Sequence, residues 1–307
     1  MENNSNPTVL EVINQLIEKF STQVRVKNGK EVIGSSNAKD YKMLKNSLEK
    51  FILETYRKSL STFSFRDITS IFLLAYVTYL EKRGLEARTK GAVPNRLKKL
   101  QAVFNHAREM GIKDMDSAVF RSVEYKMKIE ESVPLVIPSD IIRQIETIDR
   151  SKFTKTEQFH IDLFLFSYYS GGMSCSDMAY LTMDNINKGM FIYEKMRVHK
   201  MVEVPLISES RVIMLTYRNK CHGQYVLPIL LSKHKSEKQQ RERIERLSLQ
   251  VNKTLVKVRK EIRFKKKISL SSSLPAYIAM MVKTKVDPYH ISQNTGCTID
   301  YISKHFL

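Results

Sequence analysis

Two prolines four residues apart, Pro134 and Pro138 in the stretch KIEESVPLVIPSD, divide this 307-residue chain. A proline lacks the backbone N–H and clashes with the preceding helical turn, so neither fits a helix interior. Helical periodicity resumes on both sides. The chain therefore reads as a helical domain over residues 1–115, a connector over 116–138 and a second domain over 139–307, which suits a length with room for about two domains. At 42% hydrophobic residues both can bury cores. The longest apolar run, IFLLAYV over residues 71–77, falls well short of the ~20 residues of a membrane helix. The start, MENNSNPTVLEV, lacks the basic and apolar regions of a signal peptide. No membrane partner is expected.

In the N-terminal part Tyr41, Leu44, Leu48, Phe51 and Ile52 recur at steps of three and four, the apolar stripe of a helix that Ser36 or Asn37 is placed to cap. VLEVINQLIEKF predicts a helix before it. SFRDITSIFLLAYVTYLEKRG predicts one after it, closed at Gly84. A fourth begins near Thr89, carries Pro94 in an early turn and stops at Gly111. Ser139 is expected to cap DIIRQIETI. Two helices joined at Gly171-Gly172 follow, and GMFIYEKMRVHKMVEVPL alternates as an antiparallel strand pair. From Ser232 to Lys267 there are fourteen Lys or Arg against four Glu, either a solvated helix face or a surface turned to DNA.

Charge is the strongest global signal. Fifty-one Lys and Arg against 32 Asp and Glu leave +19, with a pI near 9.7. A field of that sign draws polyanions, which makes nucleic acid the expected partner. Cys175, Cys221 and Cys297 have no metal-ligand spacing and suit free thiols in a reducing cytoplasm.

One stretch is more specific. YYSGGMSCSDMAYLTMDNI resembles the first active-site box of the tyrosine recombinases (phage integrase family), Gly-Leu-Arg-hydrophobic-Ser-Glu-Leu followed by an apolar pair. Gly172, Met173, Ser176, Asp177, Met178 and Leu181 fit that frame, and the wording is similar to that of the conjugative-element branch. The order of helical domain, connector, helix pair, hairpin, basic helical section and final Gly-containing turn agrees. The resemblance implies a mainly α fold with a small β-hairpin or sheet: a SAM-like core-binding domain followed by a mixed α/β catalytic-type domain. It implies site-specific recombination and integration of DNA, acting on double-stranded DNA in the bacterial cytoplasm and nucleoid as part of a mobile element. No metal and no small-molecule cofactor is expected.

The family's chemistry implies a tyrosine that attacks the scissile phosphate, two arginines on the non-bridging oxygens and a hairpin lysine that protonates the leaving oxygen, with histidines assisting. Carried over position by position, the first arginine falls on Ser174 and the hairpin lysine on Arg197, whose high pKa makes it a poor proton donor. The His-x-x-Arg box falls on Ser271 and Leu274, the Gly-His turn on Gly296-Cys297 and the nucleophile on Phe306. Phenylalanine has no oxygen to attack with and leucine cannot hold a phosphate. The expectation is a catalytically silent relative. In the family a helix beyond the tyrosine docks on a neighbouring protomer. With the sequence stopping at Leu307, the expectation is a protein mainly monomeric in solution.

The two domains are expected to clamp duplex DNA, with Arg88, Lys90, Arg96 and Lys99 as contacts on the first and Arg197, Lys200, Lys253, Lys257 and Arg263 on the second. A second copy or an active integrase on the same DNA is a further expected partner. Two other readings stay open. One is an active recombinase with a shifted nucleophile such as Tyr301, which on a helix points about 140° away from Phe306. The other is a basic helical scaffold for RNA or protein.

Overall fold

The computed structural model describes residues 7–27, 30–33, 36–86, 92–112, 115–128, 133–196 and 198–307. The chain divides into two compact units, the helices of the first lying between Val9 and Met127 and those of the second between Ser139 and Phe306.

The first unit holds α1 (Val9–Thr22), a hairpin of β1 (Val24–Lys27) and β2 (Lys30–Ile33), α2 (Ser36–Tyr56), α3 (Ser70–Glu86), α4 (Ala92–Glu109) and the short α5 (Glu124–Met127). Helix α1 starts where Thr8 and Glu11 cap each other's backbone N–H groups, at 3.3 and 2.7 Å, so two donors that a helix start leaves unpaired are satisfied together. The apolar stripe of α2 meets Tyr76 of α3 and Leu97 and Phe104 of α4 in one core. Three expectations shift here. Helix α3 begins at Ser70, after a 3-10 turn over Phe65–Asp67, and runs through Gly84. The β1–β2 hairpin was not anticipated. Residues Ser117–Val123 form 3-10 turns and α5 follows, and their Phe120, Val123 and Met127 are buried in this core. Phe120 meets Phe104 edge to face at 5.0 Å. That part of the expected connector belongs to the first unit, because three apolar residues at helical spacing bury better than they extend.

In the second unit α6 (Ser139–Glu146) starts at Ser139 itself, with Pro138 as its cap. Helix α7 (Lys155–Tyr169) is buried nearly all round: Ile161, Leu163, Phe164, Leu165 and Phe166 face every direction, as a helix at the centre of a domain must. Each such side chain contributes about 1.5–3 kcal/mol on burial. Around it lie α8 (Cys175–Tyr180), α9 (Ser208–Tyr217), α10 (Glu237–Glu261), α11 (Ser273–Lys283) and a three-stranded antiparallel sheet in the order β3 (Ile186–Asn187), β4 (Met190–Glu194), β5 (Met201–Pro205). The register pairs Phe191 with Val204 and Tyr193 with Val202, which puts four apolar side chains on the buried face. Helix α12 (Pro288–Thr295) packs on β5, and α13 (Ile299–Phe306) packs on α12 and α11. Among the described residues no helix is long and apolar enough to cross a membrane.

His160 of α7 is buried against α10, its Nδ1 2.8 Å from Thr254 Oγ1. Burial, aided by the Arg243 charge, holds its pKa below the ordinary histidine value. The unfolded chain therefore binds this proton at higher pH than the folded one. The histidine's contribution to stability is full above pH ~6.5 and is lost as pH falls from there toward the folded pKa. Melting temperature will fall between about pH 7.5 and 5.5, and His160→Asn will flatten that slope. An unchanged slope in the variant would contradict the assignment.

Candidate functional site

The turn between α7 and α8 presses directly on the start of α11. Gly172 sits at φ +69°, and a Cβ there would lie 2.4 Å from Leu274 Cα. No side chain fits, so the glycine sets how closely the first box approaches α11. Gly296 does the same for the β4–β5 turn: at φ +67°, a Cβ would stand 2.9 Å from Lys195 Cδ.

These approaches enclose a cavity of about 700 Å³ between α8, the β4–β5 turn, α10, the start of α11 and the α12–α13 turn. Ser174, Ser271, Leu274 and Cys297 all line it. Residues more than a hundred positions apart in sequence thus come to one cleft. Arg197 lies outside the described residues, while its neighbour Val198 lines the cleft. Phe306 is not among the lining residues. It packs with Leu274, Cys297 and Tyr301 against a small core of Ile278, Ile291 and Ile302.

The local chemistry of each position is specific. Ser174 is the N-cap of α8: its Oγ accepts the Asp177 N–H at 3.2 Å and donates to Asp177 Oδ2 at 2.7 Å. Asp177 is buried, and its Oδ1 accepts the Met196 N–H at 2.9 Å, tying the box to the hairpin turn. Ser271 Oγ lies 3.0 Å from Ser269 Oγ. The Cys297 carbonyl accepts from Ser292 Oγ at 2.7 Å. Burial pushes the Cys175 thiol up to about 12, which leaves it protonated and unreactive. Burial, and then Cys297, raise the Tyr301 phenol, the opposite of what a nucleophile needs. Its ring meets that of Phe306 edge to face at 6.0 Å; both lean onto the isoleucine core despite their angular separation on the helix.

Lys195 is the residue that sequence reasoning missed. Among the described lining residues it is the one cation, half-buried, with Nζ donating to the Thr295 carbonyl at 2.6 Å. Counting back from VEVPL gave Arg197, which lies outside the described residues, and Lys195 stands two positions before it in the sequence. The cluster of basic residues in KMRVHK was the available signal. Among the described residues no group of three or more His, Cys, Asp or Glu is placed to hold a metal.

The remaining expected DNA contacts fare differently. Arg88 and Lys90 lie outside the described residues. Arg96 is half-buried. Lys99 is engaged within the first unit, 3.1 Å from Asn37 Oδ1, 3.6 Å from Asp40 and 4.8 Å above the Tyr41 ring. Lys200 is exposed and donates to Ser292 Oγ at 3.3 Å. Lys257 is paired with Glu157. Lys253 and Arg263 are exposed.

Comparison with known proteins follows this geometry. Residues 8–126 match the phage integrase SAM-like domain family. The whole chain superimposes on the integrase of transposon Tn1549 in complex with a circular intermediate DNA, with a TM-score of 0.65 and 12% identity over 98% of this chain and 95% of that one. The chain has the tyrosine-recombinase fold. A lambda integrase dimer bound to a COC' core site has the same fold at a TM-score of 0.60 and 11% identity, with 95% of each chain covered. No curated protein matches the sequence. The two-unit plan of the tyrosine-recombinase fold thus accounts for the helical N-terminal unit, the strand pair and the cleft between α8, α10 and α11.

Proposed function

We propose that this protein binds duplex DNA as a relative of the tyrosine recombinases and does not cleave it. The observation that carries the reading is the composition of the cleft. Where the family's chemistry needs two guanidinium groups on a phosphate, Ser174 caps a helix and Leu274 packs on isoleucines. Neither supplies a charged donor to a developing oxyanion. Phe306 has no nucleophilic atom, and Tyr301 is a packed phenol held in its protonated form. Lys195 retains a cation in the cleft, enough to hold a phosphate and too little to activate one.

The +19 charge, the SAM-like domain match and the DNA-bound integrases of the same fold support duplex DNA as the partner. Occupancy of recombination sites, alone or beside an active integrase of the same mobile element, is the role that binding without cleavage leaves. The nucleoid is then its place of action. The test is competition: the full chain on labelled duplex DNA resists displacement by equal phosphate concentrations of RNA. Displacement by RNA at matched concentration would contradict the DNA reading and favour a scaffold for RNA.

A further inference from the structure

Most of the cations of α10 and the loop after it do not line the cleft. Between Lys253 and Lys267 there are eight Lys or Arg and one carboxylate, Glu261. Buried apolar groups hold this segment in place. Val258 and Ile268 are buried, while Ile262 and Phe264 pack against the core between them. The chain reverses at Arg263, whose φ is +54°, with the Phe264 N–H bonded to the Arg259 carbonyl at 3.0 Å. Leu270 N–H is anchored on Asn252 Oδ1 at 2.8 Å. Arg263, Lys265, Lys266 and Lys267 are exposed.

Nearby carboxylates do not neutralise them. Glu261 pairs with Lys152 and Glu157 with Lys257. Among the described residues Arg259, Lys260, Arg263 and the three consecutive lysines have no ion-pair partner. The negative end of the α10 dipole accounts for cations in its last turn, such as Arg259 and Lys260. That field falls off within a turn, so it does not account for Lys265, Lys266 and Lys267. Three adjacent exposed ammonium groups repel one another, and a polyanion would relieve that repulsion.

We infer that the segment from Arg259 to Lys267 is a second phosphate-backbone contact, at the edge of the cleft. The chain that follows returns to the cleft: Leu270 and Ser271, three and four residues after Lys267, line it, and the Leu270 N–H is bonded to Asn252 Oδ1, so the lysines flank the site already described. The segment anchors the duplex without reading bases, because point charges on flexible stems carry no pattern of donors and acceptors. This inference rests on the duplex-DNA reading above.

The experiment compares the full chain with its Lys265→Ala/Lys266→Ala/Lys267→Ala variant on a mixed-sequence duplex over a series of salt concentrations. Each lost phosphate contact removes about 0.9 from the slope of log affinity against log salt, so the variant's slope is shallower by about 2–3. Its melting temperature stays equal or rises, since repulsion is relieved and no buried group is touched. Single substitutions, each worth about 0.9 of slope, test the same point should the triple variant fold poorly. If the unaltered chain binds duplex and the variant keeps the same slope, the second contact is disproved and the DNA reading stands. If the unaltered chain does not bind duplex at all, both fall. If the three lysines instead govern retention on phosphatidylserine vesicles and leave the duplex slope unchanged, the segment belongs to a lipid surface and the inference is overturned.

Discussion

Phe306→Tyr will form no appreciable covalent adduct with DNA. The substitution returns the attacking hydroxyl and nothing else. On the proposed reading Ser174 and Leu274 stand where charged donors to the reacting phosphate are needed, and each missing donor costs about 10²–10³ in rate. The pair leaves turnover on the order of 10⁴–10⁶ below an active relative if the losses add, although residues that act as a unit need not add. The structure supplies a second obstacle. Residue 306 packs against Ile278, Ile291 and Ile302 and does not line the cleft. A phenol there enters the surroundings that already raise Tyr301, so its oxygen is both misplaced and slow to ionise. Nor is Leu274→Arg a simple repair, because it places a guanidinium against the same isoleucine core, where an unpaired charge is costly. Incubation of Phe306→Tyr with a nicked suicide duplex, resolved on a denaturing gel, checks this. Efficient adduct from that one change would show an intact phosphate pocket.

Salt carries the second large effect. If six to ten phosphates are neutralised, duplex affinity falls by about 10³–10⁵-fold between roughly 50 and 200 mM salt, because each contact releases condensed counterions. The charge of +19 is large enough to supply that many contacts even after the lysines committed inside the fold are set aside. Lys99 is held by Asn37, Asp40 and the Tyr41 ring, and Lys257 by Glu157, so substituting either will alter the slope less than substituting Lys265–Lys267. A flat log–log plot would remove phosphate neutralisation as the basis of binding.

Local structure was legible where one physical rule acted alone. The three-and-four spacing from Tyr41 to Ile52 announces α2, and the alternation in GMFIYE and MVEVP announces the strand pair. Gly171-Gly172 announces a turn that only left-handed backbone makes. The reading was weaker where tertiary packing decides. Phe120, Val123 and Met127 sit in a stretch too short to show a convincing period, yet the first core takes them in. Lys195 was not singled out, because its place in the cleft depends on contacts with Gly296 and Thr295, a hundred residues away. The cleft was legible as a set of positions and not as a shape. Ser174, Ser271, Leu274 and Cys297 could be named by counting. That Leu274 and Phe306 share one apolar core depends on the contact of α13 with α11.

The most direct measurement takes the unaltered chain, a nicked suicide duplex that it retains under native conditions and a denaturing gel. Retention on the native gel with no protein–DNA adduct on the denaturing gel is the result the proposed binding without cleavage predicts. A covalent adduct that survives denaturation, lost on Tyr301→Phe, would show an active recombinase with a displaced nucleophile and contradict the account.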